Sequence, residues 1–401
     1  MLLASTVLLL AACLGLFVLT VQFALVLRHR RGPSPTAQPG TPRPGISILK
    51  PLCGVDDDLE ANLAQFAGLD YPGAYEVVLG VKDARDPAFA VARAAVARWP
   101  HVMRLEVQEG EPGRNPKVNQ LITLADRARY DVLVISDSNT RVAPGYLEEI
   151  AQAFEDPEVG CVTHPVAGMG ERTFGSLLDN LHLGASAAAG MIAAKRLAGR
   201  DIVVGKSMAL RREDVDALGG FFSVKDVLAE DYVIGQWVTR KLGRRVVMAH
   251  TPVFNVSLRK SVLSFFQRYL RWSVIHRTAV SPGTYRPGPA EPHAAGPAGR
   301  DAGPSSDTAA LCLGVALGKV AVDLSTVRAL RPQALSWDAV PAVFAKDTLL
   351  FAAWSYALFS RTVNWRGTRL RVGRGTRLMP VRTAGLTSEP ALPQGDRILA
   401  G

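Results

Sequence analysis

From Met1 to Leu27 the chain carries no charged side chain, and Gln22 is the only strongly polar residue in that run. About 20 consecutive apolar residues in a helix cross the hydrocarbon core of a bilayer, so the run predicts a transmembrane helix over residues 1–27. Arg28, His29, Arg30 and Arg31 follow at once. Positive charge is retained on the cytoplasmic side of a span, which predicts that the chain after Arg28 lies in the cytoplasm, at the inner face of a cytoplasmic membrane. A cleaved secretory signal is the rival reading, with Leu10-Ala11-Ala12-Cys13 as its cleavage box. No basic segment precedes that box and the apolar run continues well past Cys13, so the flanks and the length both favour a retained span.

The remaining length, within 401 residues, suffices for one large domain with accessory segments or for two ordinary domains. The net charge of +10 fits nucleic acid, anionic lipid or phosphate-bearing ligands. No zinc-finger spacing and no RNA-binding aromatic motif is present, so no nucleic acid partner is expected. Cys13, Cys53, Cys161 and Cys312 lie far apart, which is neither a disulfide framework nor a zinc motif and fits a reducing compartment.

Gly32 to Gly45 is rich in Pro, Thr, Ser and Gly and reads, with the basic cluster before it, as a linker over 28–45. Short β-rich runs then alternate with helical spacing. The runs are Ile46–Leu49, Glu76–Val81, Met103–Val107 and Val132–Ser136; the helical stretches are Leu59–Gly68, Pro87–Trp99 and Val118–Ala128. This alternation predicts an α/β domain with a mostly parallel, doubly wound sheet over residues 46–280. Such sheets bind ligands beyond the carboxyl ends of their strands. Thr173–Leu197 reads as helix, packed on the sheet or against the membrane. Ser261–His276 reads as a basic, aromatic, amphipathic helix suited either to a lipid interface or to an ordinary core. A Pro-, Gly- and Ala-rich linker covers 285–306. Two imperfect apolar segments follow near Leu311–Val327 and Val340–Phe359 within 308–360, interrupted by Lys319, Asp323, Lys346 and Asp347. Parity of crossing supports both as spans or neither, and the arginines of the tail over 361–401 place the C-terminus in the cytoplasm.

Charged clusters fall where strand ends are expected. A departing diphosphate concentrates negative charge, and a divalent cation held by a carboxylate and the phosphates neutralises it. Asp137, directly after an apolar strand, suits that task, and Asn139 adds a neutral oxygen ligand two residues on. A hydroxyl acceptor needs a carboxylate to take its proton, for which Asp231 is the candidate. Arg271 offers a fork geometry to a diphosphate. Asp83 can accept hydrogen bonds from a base or ribose. Taken singly, each of these residues is better explained by a turn, a helix cap or a surface helix position, and only their order and spacing together change the balance.

Together, Asp83, Asp137, Asp231 and Arg268-Tyr-Leu-Arg-Trp272 resemble the D, D, D, (Q/R)xxRW signature of inverting family 2-like glycosyltransferases. The chain is more closely similar to the ceramide glucosyltransferase family. The matching stretches are Leu49-Lys-Pro-Leu52 with Gly54 and Asp56, Asp70-Tyr-Pro72, Val81-Lys-Asp83 through Asp86-Pro-Ala88, Asn115-Pro-Lys117-Val-Asn119, Ile135-Ser-Asp-Ser138 and Ala229-Glu-Asp231. The resemblance implies a GT-A nucleotide-sugar-binding fold, a UDP-sugar donor, a divalent cation (Mg2+ or Mn2+), a lipid acceptor at the bilayer and inversion at the anomeric carbon. It implies that Asp83 contacts the nucleotide, that Asp137 with Asn139 serves the metal and diphosphate, that Asp231 is the base, and that Arg268, Arg271 and Trp272 close on diphosphate and acceptor, with Lys117 assisting at phosphate. Two departures stand out. Asn139 occupies a place where the family commonly has Gly or a second Asp, and Tyr285–Ser306 stands where the family runs into a span. Transferases of hopanoid biosynthesis, which use an N-acetylglucosamine-type sugar, share these motifs. A membrane-tethered binding protein without catalysis is the reading from another class.

Overall fold

The computed structural model describes residues 2–32, 43–279, 306–365 and 368–380. Most of the two expected linkers, and the tail beyond 380, lie outside the described residues. The N-terminal run and its basic cluster form one helix, α1 (Leu2–Arg31). The alternation then appears as read: β1 (Ile46–Pro51), α2 (Leu59–Ala67), β2 (Tyr75–Val81), α3 (Pro87–Arg98), β3 (Met103–Val107), α4 (Pro116–Arg127) and β4 (Val132–Ile135). Every residue of β1 and β4 is buried. Strands covered on both faces read as apolar runs rather than as alternation, which is why they were legible.

Shorter elements follow: β5 (Thr140–Arg141), α5 (Tyr146–Ala153), β6 (Val159–Thr163), β7 (Val166–Met169), α6 (Phe174–His182), α7 (Ala189–Ala198), β8 (Met208–Arg211), α8 (Arg212–Ala217), α9 (Glu230–Arg240), β9 (Arg245–Met248), β10 (Val253–Val256) and α10 (Val262–Ala279). A π-helical segment over Leu183–Ala188 joins α6 to α7, so the stretch expected as one helix is continuous but underwound at its centre. The main sheet has seven strands in the order β3-β2-β1-β4-β8-β6-β9. It is parallel throughout except for β8, which runs antiparallel to β4 and β6. β1 lies between β2 and β4, so the connections leaving β1 and β4 diverge and open a crevice at their carboxyl ends. A smaller sheet, β5-β10-β7, sits beyond that crevice.

Helix α10 is packed rather than laid on a surface: Phe265, Tyr269 and Val274 are buried in clusters shared with α6 and with a later helix. Two further helices, α11 (Ser306–Leu330) and α12 (Ala339–Phe359), coincide with the two imperfect apolar segments. With α1, they are three helices among the described residues long and apolar enough to cross a membrane. Their four charges do not stand alone. Lys319 meets Asp323 at 2.6 Å and Asp347 at 2.9 Å, Lys346 meets Asp323 at 3.4 Å, and Lys346 also pairs with Asp347. Two cations and two anions thus cancel inside the helix pair. Arg331, at the end of α11, holds the carbonyl of Gly168 at 3.1 Å and Glu171 at 2.8 Å, which ties the pair to β7.

The stretch expected as a basic tail is partly folded. β11 (Thr362–Trp365), β12 (Thr368–Val372) and β13 (Leu378–Pro380) form an antiparallel sheet. It is docked ahead of α9 by Leu228 N–H to Thr376 O at 2.9 Å and Leu378 N–H to Asp226 O at 2.8 Å.

Breaking a buried charge pair costs about 3–5 kcal/mol because one ion is left uncompensated. Lys319→Met is therefore expected to lower thermal stability in detergent strongly. Lys319→Met with Asp323→Leu, which leaves the Lys346–Asp347 pair intact, is expected to recover most of the loss. Equal melting temperatures for the single variant and the unmodified protein would contradict the pairing.

Candidate active site

The crevice above β1 and β4 widens into a cleft of about 2390 Å³. Its chemistry is set by how α4 begins. Asn115 caps that helix, its side-chain oxygen accepting from Lys117 N–H at 3.0 Å and Val118 N–H at 3.1 Å, and Pro116 supplies a pre-set first turn. The cap places the Lys117 side chain over the end of β4. Its ammonium lies 3.0 Å from Asp137 Oδ1 and 3.0 Å from Glu230 Oε1. The other Asp137 oxygen takes Lys206 at 3.1 Å, and Lys206 also donates to the Asn139 carboxamide oxygen. Beneath them, the fully buried Lys50 donates to Ser136 Oγ at 3.1 Å and to the Asp137 carbonyl at 3.0 Å, with its ammonium 3.7 Å from the centre of the Phe66 ring.

Asp231 opens α9. Its two oxygens accept backbone N–H groups, Gly205 at 2.6 Å and Tyr232 at 2.7 Å. A side chain at Gly205 would collide with this arrangement: a Cβ there would sit 2.3 Å from Lys117 Nζ and 3.3 Å from Asp231 Oδ2. Arg268, Arg271 and Trp272, on one stretch of α10, also line the cleft. Arg268 is anchored by the fully buried Asp179 of α6, at 3.0 Å, and its guanidinium lies 5.0 Å from the Trp272 ring centre. Asp179 also accepts from Lys260 at 2.6 Å and from the Tyr269 hydroxyl at 2.9 Å.

These neighbours divide the carboxylates. Burial would raise the Asp137 carboxyl, but Lys117 and Lys206 more than offset it and hold it below the usual range. Burial raises Asp231, the Glu230 charge adds to the rise, and Lys117 only partly opposes them. The two carboxylates are thus shifted in opposite directions, Asp231 upward and Asp137 downward. Burial, with help from Arg268, lowers Arg271 to about 10. Burial lowers Lys50 to about 7.

Of the residues singled out from the sequence, Lys117, Asp137, Asn139, Asp231, Arg268, Arg271 and Trp272 all line the cleft. Asp83 does not join them. It stands past the end of β2, paired with Arg85 at 3.1 Å, while its neighbours Lys82 and Asp86 line the cleft. Lys206 and Asp179 were not found from the sequence, because no local spacing marks a lysine or aspartate whose partner is distant in the chain, and Lys50 stood within a motif stretch with no role assigned to it. Among the described residues, no group of three or more His, Cys, Asp or Glu could itself hold a metal ion. Asp137 and the Asn139 amide oxygen are ligand types that a hard cation takes, but here Lys117 and Lys206 engage both Asp137 oxygens and Lys206 the Asn139 oxygen, so a cation would have to displace those ammoniums.

Comparison with known proteins places these features in context. The family model described as glycosyl transferase family 21 matches residues 7–378. Ceramide glucosyltransferase 1 of Caenorhabditis elegans is 30% identical over 258 residues, covering 64% of this chain and 53% of that protein. The ceramide glucosyltransferase of Komagataella phaffii is 30% identical over 195 residues, covering 43% of this chain and 38% of the other. The chain spans about half the length of the first of these relatives. Among solved structures, a mannosyltransferase from Pyrobaculum calidifontis in complex with GDP-Man and Mn2+ aligns with a TM-score of 0.49 at 17% identity, over 88% of this chain and 99% of that one.

Removing the Lys117 ammonium leaves Asp137 and Glu230 short of a counter-charge. Lys117→Met is expected to cost about 3 kcal/mol at pH 7, the lower end for a broken buried pair. A protonated carboxyl needs no counter-ion, and without Lys117 the Asp137 carboxyl stands higher than in the unmodified site. The variant's deficit is therefore expected to shrink as pH falls from 7 towards 5. Denaturant melts across that range check it, and a deficit that stays constant or grows with acid would contradict the pairing.

Proposed function

The chain belongs to glycosyl transferase family 21, and we propose that it transfers a hexosyl group from a UDP-sugar to the hydroxyl of a membrane lipid, with inversion at the anomeric carbon. The observation that carries this reading is the division of the cleft: a carboxylate of raised pKa, Asp231, stands beside a cluster of cations built on Asp137, with the arginines of α10 also lining the cleft. In the transfer, the acceptor oxygen bonds to the anomeric carbon as the bond from that carbon to the diphosphate breaks. The acceptor proton passes to Asp231, and UDP leaves. Lys117 and Lys206 face the departing phosphates, and Arg271 of α10 closes on them. Arg268 and Trp272 shape the acceptor side. Asp83, at the rim, is the contact for the nucleotide. When bound, Mg2+ or Mn2+ would be held by Asp137 and Asn139 and would neutralise charge on the leaving group.

The same reading sets the enzyme at a cytoplasmic membrane surface. Arg28, Arg30 and Arg31 end α1, and His29 there bonds the carbonyl of Ala249 at 3.0 Å and stacks on His250, so the span is fastened to the domain. A ceramide-type lipid is the acceptor proposed, and a hopanoid polyol with an N-acetylglucosamine-type donor is the variant of the same chemistry.

The test is direct. Purified protein in mixed micelles is supplied with UDP-glucose or UDP-N-acetylglucosamine and with ceramide or a polyol lipid, and products are read by mass spectrometry and anomeric NMR. A β-linked lipid glycoside from an α-linked donor is the expected product. Retention of the α configuration, or no glycolipid from any pairing, would contradict the reading.

A further inference from the structure

The cleft does not end at the reacting groups. Beyond Trp272 it continues to Leu19 of α1, to Ala187 and Met191 around α7, and to Leu350, Phe351 and Trp354 of α12. These are apolar or aromatic side chains, with Gln22 of α1 and Lys319 of α11 also on the lining, and the helices that carry them include the candidate spans. Leu19 lies nine residues before Arg28, about 14 Å further along the helix at 1.5 Å per residue, so this arm reaches the apolar depth of the span. A soluble acceptor has no use for such a depth.

Two local features shape the arm. The π-helical turn at Leu183–Ala188 lies in its wall, with Leu183, Ser186 and Ala187 lining the cleft. Single π turns are rare and concentrate at functional sites, because the extra residue re-aims the side chains that follow. Gly190 comes next, inside α7, and also lines the cleft. A glycine in a helix interior costs about 1 kcal/mol relative to alanine. Gly190 has ordinary helical backbone, with none of the positive φ that would call for glycine. A Cβ built there meets nothing within 4 Å. Neither backbone conformation nor close packing requires the glycine, so the space beside it is the feature to be explained.

We propose that this arm, bounded by α1, α7 and α12, is a groove for one acyl chain of the acceptor lipid, which reaches it from the bilayer and presents its hydroxyl to Asp231. The proposal rests on the transferase reading above and adds the acceptor's path to it. The chain lies against Leu19, Met191 and Phe351, and Gly190 provides the width.

Gly190→Leu fills the groove without touching any residue of the reacting centre and improves helix propensity. It is expected to lower kcat/KM for long-chain ceramide at least tenfold, while UDP-sugar affinity and transfer to a short-chain, water-soluble ceramide stay as in the unmodified protein. Gly190→Ala adds only a methyl group into open space and is expected to behave as the unmodified protein. Leu19→Trp, which narrows the groove from α1, should reproduce the selective loss even where the α7 variant misfolds. Equal use of long-chain ceramide by both bulky variants would overturn the groove. A second readout does not need turnover: a long-chain ceramide carrying a diazirine should label the α7 peptide of the unmodified protein and not that of Gly190→Leu. If no glycolipid forms but this labelling pattern holds, the transferase reading fails and the groove stands. If labelling of α7 is absent, or equal in both proteins, the groove fails whatever the activity.

Discussion

The ammonium of Lys117 holds the site together. It joins the first turn of α4 to the end of β4 through Asp137 and to the start of α9 through Glu230, three segments far apart in the chain. It gets there because Asn115 caps α4 and because Gly205 leaves room for it. The consequence is chemical as well as structural. With Lys117 engaged by Asp137 and Glu230, and Lys206 by Asp137, Asp231 has backbone N–H partners but, among the described residues, no cation at salt-bridge distance. Two carboxylates a short distance apart are thereby driven to opposite protonation behaviour, the general device by which one site keeps a stable anion beside a usable base.

The other half of the site depends on the membrane-facing helices. Arg268, Arg271 and Trp272 ride on α10, and α10 is packed between α6 and α12. The buried Asp179 of α6 anchors Arg268, while α11 and α12 hold their own charges in a closed set of pairs.

Much of this was legible in sequence, for definite reasons. Buried parallel strands leave uninterrupted apolar runs, so β1 to β4 and the helices between them fell where read, and Asp137 and Asp231 could be placed at strand and helix ends. What stayed hidden was long-range pairing. Lys319 and Asp347 are 28 residues apart and looked like charges stranded in apolar segments, although their contact is what makes both tolerable. Lys206 and Asp179 bear no local signature, and their roles exist only once β8 and α6 are in place. The arginines after Arg361 read as a solvated tail, yet Val363, Leu370, Val372 and Leu378 bury a small core against Val274 and Leu228. Asp83 was singled out by motif, and the fold sets it at the rim with Arg85 rather than in the cleft.

The central claim is that Asp231 takes the acceptor's proton, and Asp231→Asn tests it most directly, since the amide keeps shape and size but cannot act as the base. Donor affinity by calorimetry and single-turnover transfer should be measured together on the same preparation. The account predicts UDP-sugar binding within about threefold of the unmodified protein and transfer slowed by about 10²–10⁴, the usual worth of general-base catalysis. Transfer at the normal rate, or a loss explained wholly by failure to bind donor, would contradict it and turn attention to the adjacent carboxylate, Glu230.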